Sequence, residues 1–142
     1  MYKNILLTVD LTEESSWKKA LPVAVEYCQY AGATLHVLSV VPDFGMTVVA
    51  QFFPKGHEDQ TIEEARKELA KLCAEGIPDG VPVKLIVVYG TIYKQIIEVA
   101  ESIKADLIVM AAHRPALKDY LLGPNAARVV RHSNRSVLAV RD

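Results

Sequence analysis

The 142-residue sequence predicts an α/β fold, an open doubly wound sheet of five parallel strands in the order 3-2-1-4-5. Three observations carry that expectation. Five short runs of apolar and β-branched residues lack the polar alternation of a sheet wetted on one face, so each reads as a strand covered on both sides. Amphipathic repeats of three and four residues fall between these runs, at the spacing of βαβ units. Right-handed crossovers then carry strands 2 and 3 to one side of strand 1 and return strands 4 and 5 past it on the other.

Asn4 to Val9 is a nearly continuous apolar run closed by Asp10 and supplies the first strand. Thr12 is placed to cap the helix that follows, with Glu13 and Glu14 at its positive end. Trp17, Ala20, Leu21, Ala24, Val25 and Cys28 then repeat at three and four until Gly32, so this helix is expected over 13–31. Thr34 to Val41 is β-branched and apolar, stops at Pro42, and gives the second strand. His36 within it has no second His, Cys or acid in register and reads as a partnered core or edge histidine rather than a ligand.

Residues 42–60 break the rhythm. A connection this long is usually functional or a cover, and its apolar centre (Val48, Val49, Phe52, Phe53) is expected to pack over the sheet's rim, over a ligand, or against a partner subunit. Thr61 with Glu64 three residues on has the capping-box form, so the second helix is expected over 61–75 and closes at Gly76. Val81 to Val88 gives the third strand, with Pro82 best placed at an edge. Gly90-Thr91 turns into the third helix, whose apolar stripe is Ile92, Ile96, Ile97, Val99, Ala100 and Ile103. The fourth strand is expected over 105–111, the fourth helix over 123–132 and the fifth strand over 136–140. All of this fits one domain, 1–142, with 42–60 as its insert.

Composition narrows the function. No apolar run approaches the roughly 20 residues that span a bilayer and the first residues lead straight into a strand, which predicts a cytoplasmic protein with no membrane partner. Cys28 and Cys73 lie in helical patterns without a partner at metal-ligand spacing and read as small buried side chains in a reducing compartment. A net charge of −1 argues against a chain built to hold nucleic acid. From residue 111 onward, however, six Lys/Arg (Arg114, Lys118, Arg128, Arg131, Arg135, Arg141) face two acids. That surplus reads equally as a solvated helix face or as an attraction for phosphate.

In this strand order the topological switch point lies between strands 1 and 4, where diverging connections leave a crevice. Asp10 is placed there to accept a hydrogen bond from an adenine amino group or a ribose hydroxyl, and equally to cap the first helix. The facing amides that begin the fourth helix attract phosphate, with Gly123 admitting a close approach and Asn125 and Ala126 offering donors. Pro124 removes one donor, so an anion there needs Arg114, Lys118 or Arg128 as well. No Ser/His/Asp trio has a fitting spacing (Ser133, Ser136, His113 and His132 were the candidates), no cluster suggests a metal, and no Walker-type loop is present. A nucleotide would be sensed rather than turned over, with slow ATP hydrolysis or autophosphorylation left open.

The segments Asn4–Asp10, Leu35–Val41, Met110–Ala126 and Val129–Val140 together resemble the universal stress protein family over essentially the whole chain. The insert (Pro42 to Met46, with Phe52-Phe53-Pro54) and His113-Arg114-Pro115 before Tyr120-Leu121-Leu122-Gly123 resemble the branch lettered F and G in enteric bacteria. The resemblance implies a Rossmann-like fold of the adenine nucleotide alpha-hydrolase type, a homodimer built through the last strand, a stress-response role, and AMP, ADP or ATP in the crevice, with Mg2+ accompanying ATP. It assigns Thr8, Val9 and Asp10 to the adenine and ribose side, Val40 to adenine through its backbone, and Met110, Ala111, Gly123, Asn125 and Ala126 to the remainder of the site, which His113 and Arg114 of this chain's own basic loop are expected to join. The family's signature is Gly-x-x-Gly, about nine residues, then Gly-Ser/Thr. Here Ala111 and Arg114 stand at its first two glycines and Pro124 at its hydroxyl residue. Those departures motivate the alternative, a dimeric interaction module of the same fold that has lost nucleotide binding and acts through protein partners.

Overall fold

The computed structural model describes residues 2–42, 57–112 and 123–141. In chain order these form β1 (Asn4–Thr8), one 3-10 turn (Glu14–Ser16), α1 (Ala20–Ala31), β2 (Thr34–Pro42), α2 (His57–Gly76), β3 (Val83–Gly90), α3 (Ile92–Ser102), β4 (Leu107–Ala111), α4 (Gly123–His132) and β5 (Ser136–Val140). The strands pair in parallel in the order β3-β2-β1-β4-β5, as the sequence predicts.

Strand residues alternate between two apolar layers. Ile5, Leu7, Leu35, Val37, Leu107 and Val109 point to the face covered by α1 (Ala20, Leu21, Ala24, Val25, Cys28) and α2 (Leu69, Cys73). Leu6, Leu38, Ile108 and Met110 point to the other, covered by α3 (Ile96, Val99, Ala100) and α4 (Ala126, Val129). Leu6, Leu38, Ile96, Ile108 and Val129 are all essentially inaccessible to solvent. Each such side chain contributes about 1.5–3 kcal/mol, so apolar packing is a large part of what holds α3 and α4 against the sheet. Both cysteines are buried in the first layer, and desolvation pushes each thiol up to about 11, the behaviour of small apolar side chains.

Two further details fix the sheet's amino edge. The carboxylate of Asp106, just before β4, accepts the backbone N–H groups of Lys3 (2.7 Å) and Asn4 (2.9 Å) and so ties the start of β4 to the start of β1. Those two bonds, from Asn4 and from Lys3, hold the Asp106 carboxyl below its ordinary range. His36 is buried in β2 between Leu6 and Lys84 of the flanking strands, and its Nε2 lies 3.0 Å from Asn4 Oδ1. It is a partnered core histidine, as expected. Its Nδ1 is buried with no hydrogen-bond partner among the described residues.

The structure corrects several boundaries. The first helix does not run unbroken from residue 13: a 3-10 turn comes first, and α1 begins at Ala20. Pro22 is the cause, because it has no N–H to donate and its ring collides with the carbonyl four residues back, so it is tolerated only in a helix's first turn. Thr12 is no helix cap; its hydroxyl donates to Asp10 instead. The second helix begins one turn before Thr61, which therefore sits inside α2 and caps nothing at its start. No proline or glycine lies between residues 57 and 61, so the backbone has no reason to stop there. The third strand lies two residues later than expected, after Pro82 rather than through it. Pro82 cannot donate to a ladder, and its carbonyl accepts Leu35 N–H (2.8 Å) at the point where edge pairing starts. Most of the 42–60 insert falls outside the described residues; Pro42 ends β2, and residues 57–60 open α2.

Candidate functional site

All five strands end on one edge of the sheet. There the chain leaves β1 toward α1 on one face and leaves β4 toward α4 on the other, which opens the crevice between two hydrogen-bonded neighbours.

The β1 side of this crevice is a preorganised turn around Asp10. Val9 N–H donates to Leu38 O (2.8 Å), continuing the ladder one residue past β1 and delivering Asp10 to the rim. Asp10 Oδ1 accepts both the backbone N–H (2.9 Å) and the hydroxyl (2.6 Å) of Thr12, and Asp10 O accepts Glu13 N–H (3.0 Å). Ser16 closes the loop: its Oγ accepts Asp10 N–H (2.9 Å) and donates to Asp10 O (3.0 Å). One carboxylate oxygen is thus committed to the turn, while Oδ2 accepts no hydrogen bond among the described residues and the residue is exposed. The expected cap of the first helix is not made: α1 begins at Ala20, and Asp10 Oδ1 anchors the turn after β1 instead. The Asp-x-Thr spacing is a recognisable Asx-turn signal, whereas Ser16, six residues on, had none.

The remaining sequence-selected residues divide between the two faces. Thr8 and Val40 are half-buried on the α3/α4 side, where Val40 packs with Val88 and Ile92. Met110 and Ala126 are buried in that same apolar layer, so they seat the start of α4 beside the end of β4 and present backbone rather than side chain to a ligand. Val9 and Ala111 turn to the α1/α2 side, leaving only main-chain groups at the rim. Gly123 begins α4, and Asn125 is half-buried in its first turn. His113, Arg114 and Lys118 lie outside the described residues.

Among the described residues, Arg128 and Arg135 of the C-terminal cations are engaged within the protein. The Arg128 guanidinium lies over the Tyr93 ring of α3, 5.2 Å from its centroid, and the His132 ring stands 6.1 Å from the same tyrosine. Arg128, exposed on α4, thus has a helix–helix contact as well as the phosphate role offered by the sequence; a cation over a ring face is attracted by the ring quadrupole. Arg135 donates to both oxygens of Glu101 (3.3 and 3.0 Å) and to Ala105 O (3.2 Å). That hydrogen-bonded pairing lowers the Glu101 carboxyl and raises Arg135 from their ordinary values. Among the described residues no group of three or more His, Cys, Asp or Glu could hold a metal, and no helix is long and apolar enough to cross a membrane.

Comparison with known proteins completes the description. The model of the universal stress protein family matches residues 1–141. The chain is 31% identical to universal stress protein G of Escherichia coli O157:H7 over 143 aligned positions, covering 99% of this chain and 100% of that protein. It is 33% identical to universal stress protein A homolog 1 of Coxiella burnetii, covering 98% and 96%. Among solved structures it superimposes on MJ0577, a universal stress protein of Methanocaldococcus jannaschii, with a TM-score of 0.83 at 28% identity, over 100% of this chain and 97% of the other. A universal stress protein solved in complex with cAMP matches with a TM-score of 0.64 at 25% identity, over 99% and 97%.

Proposed function

Because the chain belongs to the universal stress protein family, we propose that it is a small cytoplasmic homodimer, one domain over 1–142, that binds an adenine nucleotide at the β1/β4 crevice in a stress-response role. The observation that carries the reading is Asp10, held at the rim by Thr12 and Ser16 with one carboxylate oxygen free to accept from a ribose hydroxyl or the adenine amine. The cAMP complex of a relative supports the ligand class. Thr8, Val9 and Val40 then border the base and sugar. Met110, Ala111, Gly123, Asn125 and Ala126 border the phosphates, where helix amides, the Arg114 cation and the His113 ring as a hydrogen-bond donor favour negative charge. AMP, ADP and ATP share these contacts, and Mg2+ would accompany ATP. The outer edge of β5 has no strand beside it among the described residues and is the surface we assign to the dimer.

Titration calorimetry of ligand-free protein with ATP and AMP tests the reading. Binding is expected, and Asp10→Ala should weaken it by roughly 10–100-fold, the equivalent of one hydrogen bond to a charged group. No heat at millimolar nucleotide would sink it. A second reading, an interaction module acting through protein partners, is favoured by Pro124, which lacks the N–H a phosphate would use, and by the engagement of Arg128 with Tyr93. Nucleotide retained through purification and seen by native mass spectrometry would contradict it.

A further inference from the structure

We propose that Gln95 reads the base in this crevice, its carboxamide hydrogen-bonding the Watson–Crick edge of adenine; the inference rests on the nucleotide reading above. Gln95 lies one turn beyond Ile92 and one turn before Val99, on the apolar stripe by which α3 packs against the sheet. It is the polar member of that stripe, half-buried, and its side chain makes no hydrogen bond to any described residue. A half-buried carboxamide with no partner among the described residues keeps its donors and its acceptor available. Such a group is suited to a partner that arrives from outside.

Its position is set by Gly90. That residue ends β3 at φ +148° and is paired in register with Pro42 of β2. A Cβ there would stand 2.9 Å from Gln95 Nε2, 3.0 Å from Cγ and 3.2 Å from Cδ. Gln95 is therefore folded back over the carboxyl end of β3 instead of reaching along the helix surface, and the lack of a Cβ at residue 90 leaves its chain undisturbed. Val40 and its partner Val88 lie two residues before Pro42 and Gly90, on the same face of the sheet, so the carboxamide borders the position we give to the base. A carboxamide presents one acceptor and two donors in a plane: its C=O accepts from the adenine N6 amine while its N–H donates to N1.

The test is titration calorimetry of the full chain with ATP, GTP and tripolyphosphate, in wild type, Gln95→Leu and Gln95→Glu. Gln95→Leu keeps the volume and should weaken ATP about 5–30-fold, which corresponds to about 1–2 kcal/mol for one or two neutral hydrogen bonds, with tripolyphosphate affinity unchanged. Gln95→Glu can only accept. It faces the N1 lone pair of adenine but suits the N1–H and N2 amine of guanine, so the ATP-to-GTP affinity ratio should fall. Equal ATP affinity in all three proteins, each with an unaltered urea midpoint, overturns the proposal and leaves the nucleotide reading standing. Failure of the wild type to bind ATP overturns both.

Discussion

Replacing Gly90 with alanine is expected to destabilise the fold by about 2–4 kcal/mol, and the structure separates that figure into two parts. The backbone part comes from φ +148°, a region side-chain-bearing residues avoid, at a cost of about 1–3 kcal/mol. The contact part comes from Gln95, whose Cγ and Cδ would lie 3.0 and 3.2 Å from the new methyl, inside the roughly 3.5–4.0 Å at which carbon atoms attract. Nε2 at 2.9 Å is the end of a flexible chain and can swing away, but the carbons nearer the helix must shift, at about 1 kcal/mol. Gln95→Ala removes those atoms, so Gly90→Ala in that background should cost only the backbone part. Urea denaturation of the four proteins of this cycle, at one protein concentration, measures both terms. A cost below about 0.5 kcal/mol refutes the argument from φ. Equal costs in the two backgrounds refute the placement of Gln95 over Gly90, and with it the geometry on which base reading depends.

Two further outcomes follow from buried and tethered ionisable groups. Burial, with Lys84 adding to it, lowers the pKa of His36 below 6.5, so the unfolded chain takes up a proton that the folded one refuses. The associated stability is complete above pH 6.5 and is lost as pH falls from there through the folded value, at up to about 1.4 kcal/mol per pH unit. His36→Gln should flatten that slope in urea titrations between pH 5 and 8, and an unchanged slope contradicts the assignment. The Asp106 carboxylate, lowered by the Asn4 and Lys3 amides, contributes stability present above the unfolded value near 3.9 and lost as pH drops through its folded value. Asp106→Ala should cost about 1 kcal/mol at pH 7, discounted for partial exposure, and should accelerate amide exchange at Lys3 and Asn4; unaltered exchange there argues against the tether.

The sheet was readable because its strands are buried on both faces. Ile5 to Leu7, Leu35 to Leu38 and Leu107 to Met110 have no solvent side to be polar on, so their runs stand out, and crossover handedness then orders them. Helix starts were harder. Trp17 continues the repeat of α1 perfectly well as an apolar residue, and only the backbone chemistry of Pro22 says that the helix proper begins later. Asp10 was legible as a carboxylate at a strand end, but the commitment of one oxygen to Thr12 and the tie of its backbone to Ser16 depend on the turn these residues form in space. Arg128 could not be assigned from sequence, since its partner Tyr93 sits 35 residues earlier on another helix and nothing local links them. Gly90 reads only as a turn residue until the side chain lying across it is seen.

Those tertiary contacts change how the proposed ligand would be held. Sequence alone offers Arg114, Lys118 or Arg128 to a phosphate from a surplus of six cations; the contact with Tyr93 competes for Arg128, and the pair with Glu101 engages Arg135 elsewhere. Pro124 withdraws a helix amide as well. The phosphate side is thereby left to the other helix amides and a few basic side chains, whose attraction weakens as salt is added, with a Debye length near 10 Å at 0.1 M. The base side, by contrast, would rest on groups the fold has already oriented: the Asp10 carboxylate, bonded by Thr12 on a backbone tied to Ser16, and the Gln95 carboxamide folded over Gly90. Discrimination between bases should therefore survive high salt even where affinity falls. An ATP-to-GTP ratio that collapses together with affinity between 50 mM and 500 mM NaCl would place recognition on the phosphates instead.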